Sequence, residues 1–249
     1  MRDWYANDSF WEAFFPYMFP DDRFDAADSQ VESIIKLTRV HGGGAVLDLC
    51  CGPGRHAVAF ALKGFRVTGV DLSSFLLAKA RERGRGASVD VEWIEDDMRT
   101  FSRPGAYDLL VNLFTAFGYF DDPEDDMTVL CHMHANLAPG GACVIDVVSK
   151  EWLAKVFTPA SVDEYEDGTL MIQRREIVDD WTRIRNQWIL LRDGRSRSFT
   201  LEHTIYSGRE LKDRMLQAGF DEVNLYGDYE GNAYGRDTKR LVAVGRKRV

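Results

Sequence analysis

The run Val46-Leu-Asp-Leu-Cys-Cys-Gly-Pro-Gly-Arg-His56 constrains this chain more than any other. An apolar strand runs through Asp48, and a Gly52-Pro-Gly54 turn follows that should open a helix. A second strand, Phe65 to Val70, then ends at Asp71. Strand, glycine turn, helix and a strand tipped by a carboxylate form the unit that holds a ribose-bearing ligand. The glycines let the backbone approach closely, and Asp71 can accept from two ribose hydroxyls. The pattern predicts an α/β fold with a nucleoside-type site at the carboxyl edge of a parallel sheet.

The surroundings of the turn choose between ligands. Gly52-Pro-Gly54-Arg-His-Ala57 fits the loose dinucleotide pattern with Ala in the third place, which is weak evidence alone. A dinucleotide brings a doubly charged pyrophosphate to the helix N-terminus, where a nearby carboxylate repels it. Asp48 stands there. S-adenosylmethionine has no phosphate and carries an ammonium and a sulfonium, which an acid favours. Asp48 therefore argues for a methyl donor, and binding of NAD would restore the nicotinamide alternative.

These residues resemble the class I S-adenosylmethionine-dependent methyltransferases, whose first motif is an acid followed by a Gly-x-Gly-x-Gly turn. Cys50 takes the place of the first glycine, as in family members with a Cys-Cys-Gly turn, and Gly52 and Gly54 follow. The resemblance implies a Rossmann-like, doubly wound, seven-stranded and mostly parallel sheet, with the last strand antiparallel. It places Asp71 and Leu72 at the ribose. After a third strand, Val89 to Ile94, it implies that Asp97 accepts from the adenine amino group and that the backbone of Met98 reaches the ring. The fourth strand, Tyr107 to Leu113, would turn carbonyls near Asn112 and Leu113 to the methionine ammonium. Leu137 to Gly141 would form the turn before a fifth strand, Ala142 to Val148. The resemblance spans about residues 40 to 150 and about 208 to 248.

Three segments are predicted: an N-terminal helical lid over 1–40, a core over 41–163 and 207–249, and an inserted antiparallel sheet over 164–206. Residues 1–20 are crowded with aromatics, which must bury as a helix on the sheet or as a lid over the ligands. A helix is expected from about Ser29 to Val40, from apolar residues at helical spacing. The insertion shows three strand-like runs, about Thr169 to Val178, Thr182 to Arg192 and Arg197 to Tyr206. Such an insertion resembles that of bacterial small-molecule methyltransferases, where it roofs the acceptor site or mediates dimer contacts. A helix, Arg209 to Ala218, and strands near Glu222 to Tyr226 and Arg240 to Arg246 close the chain. The acidic run Asp121 to Asp126 favours the start of a helix over Met127 to Leu137.

Length and charge narrow the partners. The 249 residues, 45% of them apolar, can bury one large α/β core. A net charge of −9 disfavours binding a phosphate backbone, so nucleic acid is not expected as acceptor. No apolar run reaches membrane-spanning length and no secretory leader is evident. Cys50, Cys51, Cys131 and Cys143 lack metal spacing and read as reduced, buried thiols of a cytoplasmic protein. A homodimer through the edge of the inserted sheet is open.

A sulfonium methyl is already activated, so the protein has mainly to align a nucleophile and exclude water. An amine need only arrive deprotonated, whereas a hydroxyl benefits from a base. His203 is the first candidate, followed by His56, His132 and His134, against the alternative that each is a satisfied core residue. Phe114, Phe117, Tyr119 and Phe120, in the aromatic segment after the fourth strand, can stack on a substrate or serve as core, and Tyr119 is the favoured acceptor contact because its hydroxyl gives a polar handle. No metal is expected: catechol-type enzymes carry carboxylates after both the fourth and fifth strands, and here Asn112 stands at the former, with Asp146 inside the latter. Asn112-Leu-Phe-Thr115 also lacks the Asn-Pro-Pro-Tyr pattern of nucleobase and amide methylation. The expected activity is S-adenosylmethionine-dependent methylation of nitrogen or oxygen on a small molecule. The alternatives are a non-catalytic nucleoside-binding regulator or scaffold and, less favoured, a protein or RNA methyltransferase.

Overall fold

The computed structural model describes residues 3–249. The two residues before these belong to the predicted lid segment and lie outside the described part.

Strand β1 (Ala45–Leu49) leads through the glycine turn into α3 (Arg55–Leu62), then β2 (Arg66–Asp71), α4 (Ser74–Gly86) and β3 (Val91–Glu95). The chain then crosses to the other side of β1 with β4 (Tyr107–Asn112), α5 (Pro123–Asn136) and β5 (Leu137–Val148). The last two strands are β10 (Glu222–Tyr226) and β11 (Arg240–Arg246), and the sheet order is β10-β11-β5-β4-β1-β2-β3. Strands β1 to β5 run parallel, and β11 is antiparallel to both β5 and β10. Because the connections leave β1 in one direction and reach β4 in the other, a crevice opens at the carboxyl ends of these two strands. Both faces of the central strands are covered: in β4 and β5, Leu109, Leu110, Val144 and Ile145 are fully buried.

Local chemistry fixes the helix starts. Ser73 caps α4, its hydroxyl accepting from the Leu76 N–H. Asp122 caps α5 by accepting from Glu124, so the acidic run starts that helix at Pro123, ahead of the expected Met127. The predicted turn at Leu137–Gly141 is instead part of β5. The register against β4 shifts between Tyr107 and Leu109, and Gly140 takes φ +81° within this bulge.

The insertion is a four-stranded antiparallel sheet, one strand more than expected: β6 (Ala160–Glu164), β7 (Leu170–Val178), β8 (Arg183–Arg192) and β9 (Arg195–Thr204), in that order. It follows the short helix α6 (Lys150–Val156) and precedes α7 (Gly208–Gln217). Strand β6 is a polar edge with almost no buried side chain, so it carried no alternating pattern to find.

The N-terminal aromatics knit this sheet to the core. A 3₁₀ turn at Trp4–Ala6, α1 (Asp8–Met18) and α2 (Asp21–Thr38) precede β1. On α1, Phe10 and Phe14 are fully buried, with ring centroids 5.6 and 5.7 Å from Phe199 on β9, and Phe14 lies 5.3 Å from Trp188 on β8. Each such ring contributes about 1.5–3 kcal/mol by leaving water. Phe15, on the other side, meets Phe75 of α4 at 5.7 Å. Helix α2 starts eight residues earlier than its apolar spacing suggested, because Asp21 and Asp22 favour its N-terminus and Phe24 packs under the Arg83 guanidinium.

Candidate functional site

The glycine turn is bent by three left-handed residues: Cys50 (φ +62°), Gly52 (φ +56°) and Gly54 (φ +76°). A cysteine in this region carries steric strain that glycine does not. Gly54 is also needed for close approach, since a Cβ there would stand 2.6 Å from the Trp93 ring. It faces the protein interior and not the crevice. Gly52 faces the crevice and donates its N–H to Asp71 Oδ2 at 2.7 Å, while Oδ1 accepts from Ser73 at 2.9 Å. Burial pushes the Asp71 carboxyl up to about 6 against the pull of these backbone donors.

Asp48 is more isolated. It is 2% exposed and lines the crevice, and its Oδ2 has no hydrogen-bond partner. Burial pushes it up to about 7; the Ala57 N–H and Arg55 act the other way, and the charge of Asp71 adds to the rise. A buried carboxylate oxygen without a donor costs free energy until a positive or hydrogen-bonding ligand reaches it. Together, Asp48 and Asp71 fit a ligand that brings a cation and a ribose to the same turn.

The crevice spans about 1030 Å³ of space between atoms, open solvent at its mouth included. Its walls include Cys50, Leu72, Met98 and Leu113 among the expected residues. Asp97 lines it too, with its carboxylate gripped by Arg99 (Nη2 to Oδ2, 2.6 Å). Burial raises that carboxyl, but the Arg99 contacts outweigh it and hold it below its usual range. Asn112 is fully buried beneath the floor, where its amide donates to the Leu49 carbonyl at 3.0 Å and its Oδ1 has no partner.

Tyr119 lines the crevice in an aromatic stack, 4.6 Å from Trp4 and 5.7 Å from Tyr5 between ring centroids. His203 stands behind it, 6.5 Å from the Tyr119 ring, and does not line the crevice. Burial, helped by Arg183, pushes this imidazole down to about 4. His56 lines the crevice but is paired with Gln30 at 2.9 Å, and burial and Arg55 hold it well below its usual range. His134 packs against Phe220, and neither it nor His132 lines the crevice. Cys131 is exposed, contrary to the reading of four buried thiols; Cys51 and Cys143 are buried and Cys50 is partly so. Among the described residues, no group of three or more His, Cys, Asp or Glu side chains could hold a metal ion. Among them too, no helix is long and apolar enough to cross a membrane.

Further wall residues come from the two aromatic segments, with Met18 among them carrying no signal of its own. Tyr5, Trp11, Met18 and Phe19 of the N-terminal segment close one side of the crevice. Phe114 also lines it, with the Arg55 guanidinium 3.5 Å above its ring. The aromatic crowding of residues 1–20 signalled the first group. The aromatic run after the fourth strand signalled Phe114, but not the left-handed backbone (φ +61°) that sets its ring in the wall.

A family described as a methyltransferase domain matches residues 46–141, from β1 into β5. A glycine/sarcosine N-methyltransferase of Halorhodospira halochloris is 26% identical over 233 residues, covering 91% of this chain and 85% of that one. Among solved structures, an S-adenosylmethionine-dependent methyltransferase of Clostridium acetobutylicum superposes with a TM-score of 0.80 at 16% identity, over 97% of this chain and 99% of the other. An S-adenosylmethionine-bound amino pentose methyltransferase of Micromonospora echinaspora does so at 0.66 and 24%, over 90% of each. The matched methyltransferase domain covers the strands that build the crevice, and together with these relatives it supports a class I S-adenosylmethionine-dependent methyltransferase, with S-adenosylmethionine as the cofactor.

Proposed function

We propose that this enzyme methylates a small molecule at nitrogen or oxygen by direct in-line displacement, and that nitrogen is the better match. The observation that carries the preference is the absence, among the described residues lining the crevice, of a free imidazole base, the carboxylates there being read as donor contacts. Among the described residues lining it, the imidazole is His56, tied to Gln30 and held neutral by burial. An oxygen acceptor gains from a positioned base, while an amine that arrives deprotonated needs alignment and dryness alone. The Halorhodospira relative acts, by its name, on nitrogen of glycine and sarcosine.

When bound, the cofactor supplies a methyl carbon already activated by a positive sulfur. In this reading Asp71, with Leu72 beside it, holds the ribose, and Gly52 and Cys50 give the backbone approach. Asp48 faces the ammonium through its open oxygen. Asp97 and the backbone of Met98 meet the adenine, and carbonyls near Asn112 and Leu113 face the amino-acid end. Gly54 shapes the turn from behind. Tyr119, with the aromatic wall of the N-terminal segment, orients the acceptor and excludes water. We read His203 as steadying Tyr119 and not as the base, since a group pushed down to about 4 holds a proton poorly at neutral pH.

The test is formation of S-adenosylhomocysteine by the purified protein with matched panels of small amines and phenols. Turnover with amines that rises with pH as the amine loses its proton is expected. Turnover with phenols alone would move the reading to oxygen. Stoichiometric donor binding with no turnover on any acceptor would favour a non-catalytic nucleoside-binding protein.

A further inference from the structure

Two consecutive residues after β4, Phe114 (φ +61°) and Thr115 (φ +65°), hold a left-handed backbone without being glycine. Such a pair persists only where its surroundings over-determine it. What holds it is Asp146, fully buried in β5. Its Oδ2 accepts from the Phe114 N–H at 3.0 Å, and its backbone carbonyl accepts from the Thr115 N–H at 2.8 Å. The Thr115 hydroxyl in turn accepts from the Val148 N–H at 3.1 Å.

Asp146 is itself held from the far end of the chain. The Tyr229 hydroxyl donates to Oδ2 at 2.6 Å, and the Arg240 Nε donates to Oδ1 at 2.5 Å. Arg240 also donates to the Asp146 carbonyl at 3.1 Å, and its guanidinium lies 5.4 Å from the Phe114 ring centre. The carboxylate thus joins the β4 loop to the β10–β11 connection and to β11. Leu113, Phe114 and Ala116, which the clamp shapes, all line the crevice.

We propose that Asp146 is a positioning residue for methyl transfer, holding Phe114–Thr115 in the left-handed form so that the loop closes the crevice floor, with Tyr229 and Arg240 fixing its orientation. The inference rests on the reading of this crevice as the donor site. It adds that the C-terminal hairpin sets the shape of that site. A buried ion pair would otherwise need only Arg240. The third donor, from Phe114, ties the pair to the loop.

The experiment compares Tyr229→Phe, Asp146→Asn and Asp146→Ala with the unaltered protein. Binding of S-adenosylhomocysteine is read by titration calorimetry, and thermal unfolding is followed in parallel. Tyr229→Phe removes one hydroxyl and keeps the ring, so the melting temperature should stay within about 4 °C while the dissociation constant rises roughly three- to tenfold, the scale of one ordinary hydrogen bond. Asp146→Asn keeps the shape and an acceptor for the Phe114 N–H, and should retain more affinity than Asp146→Ala. With a competent acceptor, kcat should fall with the rise in KM, because a misplaced floor disturbs alignment as well as binding. Unchanged affinity in folded Tyr229→Phe and Asp146→Asn would overturn the proposal. So would losses that follow only the drop in melting temperature. Because the ligand is the product nucleoside and the readout is binding, an unproductive acceptor panel would count against the proposed function and leave this result standing.

Discussion

The glycine-turn end of the crevice and the inserted sheet both carry many charges, but they use them differently. At the turn, two carboxylates face the crevice, Asp48 buried with an open oxygen and Asp71 half-buried on backbone donors. In the sheet, Glu202 sits between Arg183 and Arg185 at 3.0 and 2.8 Å, and Arg185 has nearly half its side chain exposed. Buried charges with unmet partners are reserved for a ligand, and exposed charges with met partners keep a surface soluble and in register. The first region should therefore respond steeply to single substitutions and to pH, and the second weakly.

The largest effect is expected at Gly54. Gly54→Ala combines a clash with Trp93 and a left-handed backbone, and should cost about 2–4 kcal/mol of stability by denaturant unfolding. A cost below a few tenths would mean that the turn is pliable. Next, Asp71→Ala should weaken S-adenosylhomocysteine binding by about 1–3 kcal/mol in calorimetry, on the scale of hydrogen bonds to a charged group. A folded variant of normal affinity would remove Asp71 from the ribose.

The pH dependence sharpens the contrast further. With the carboxyl of Asp48 near 7 and that of Asp71 near 6, the empty crevice takes up protons as pH falls through that range. Both lie above the usual value for an unfolded aspartate, so this contribution to stability is fully present below about pH 4 and lost as pH rises through about 7. A cationic donor has the opposite preference: its affinity should drop as pH falls below 7, by at most about tenfold per unit for Asp48 alone. Calorimetry between pH 5.5 and 8 checks this, and Asp48→Asn should flatten the upper part of the profile. The smallest effect is Arg185→Ala, expected to change stability by less than about 1 kcal/mol and donor affinity not at all. A large loss there would dissolve the distinction between the two regions.

The same division decides what could be read from the sequence. The turn was legible because each part has a local cause: glycine for the bend, an acid at each strand end, apolar runs between. The bounds of β10 and β11 were legible because buried and exposed residues alternate or run continuously there. Strand β6 was not, since an edge strand of Ala-Ser-Val-Asp-Glu owes its state to the backbone of β7 and not to its own side chains. For Phe114 the ring was legible, in the aromatic run after the fourth strand, but its setting in the wall was not. Its position comes from Asp146, Tyr229 and Arg240, and no window of sequence contains all four. His203 was singled out as an imidazole on an apolar strand face, and the face proved to be the side of the Tyr119 stack turned from the crevice.

Trp93 ties three glycines into one unit. Its indole lies where a Cβ on Gly54 or Gly69 would stand, at 2.6 Å from each, and it is in ordinary contact with that of Gly84 at 3.6 Å. A lineage that shrinks this side chain would relax the requirement for glycine at position 69, while position 54 would stay bound by its backbone angle. These sites should therefore drift through evolution as a group, with substitutions at 69 admissible only after the one at 93. The order in which such changes accumulate would be a historical signature of how the cofactor turn was assembled.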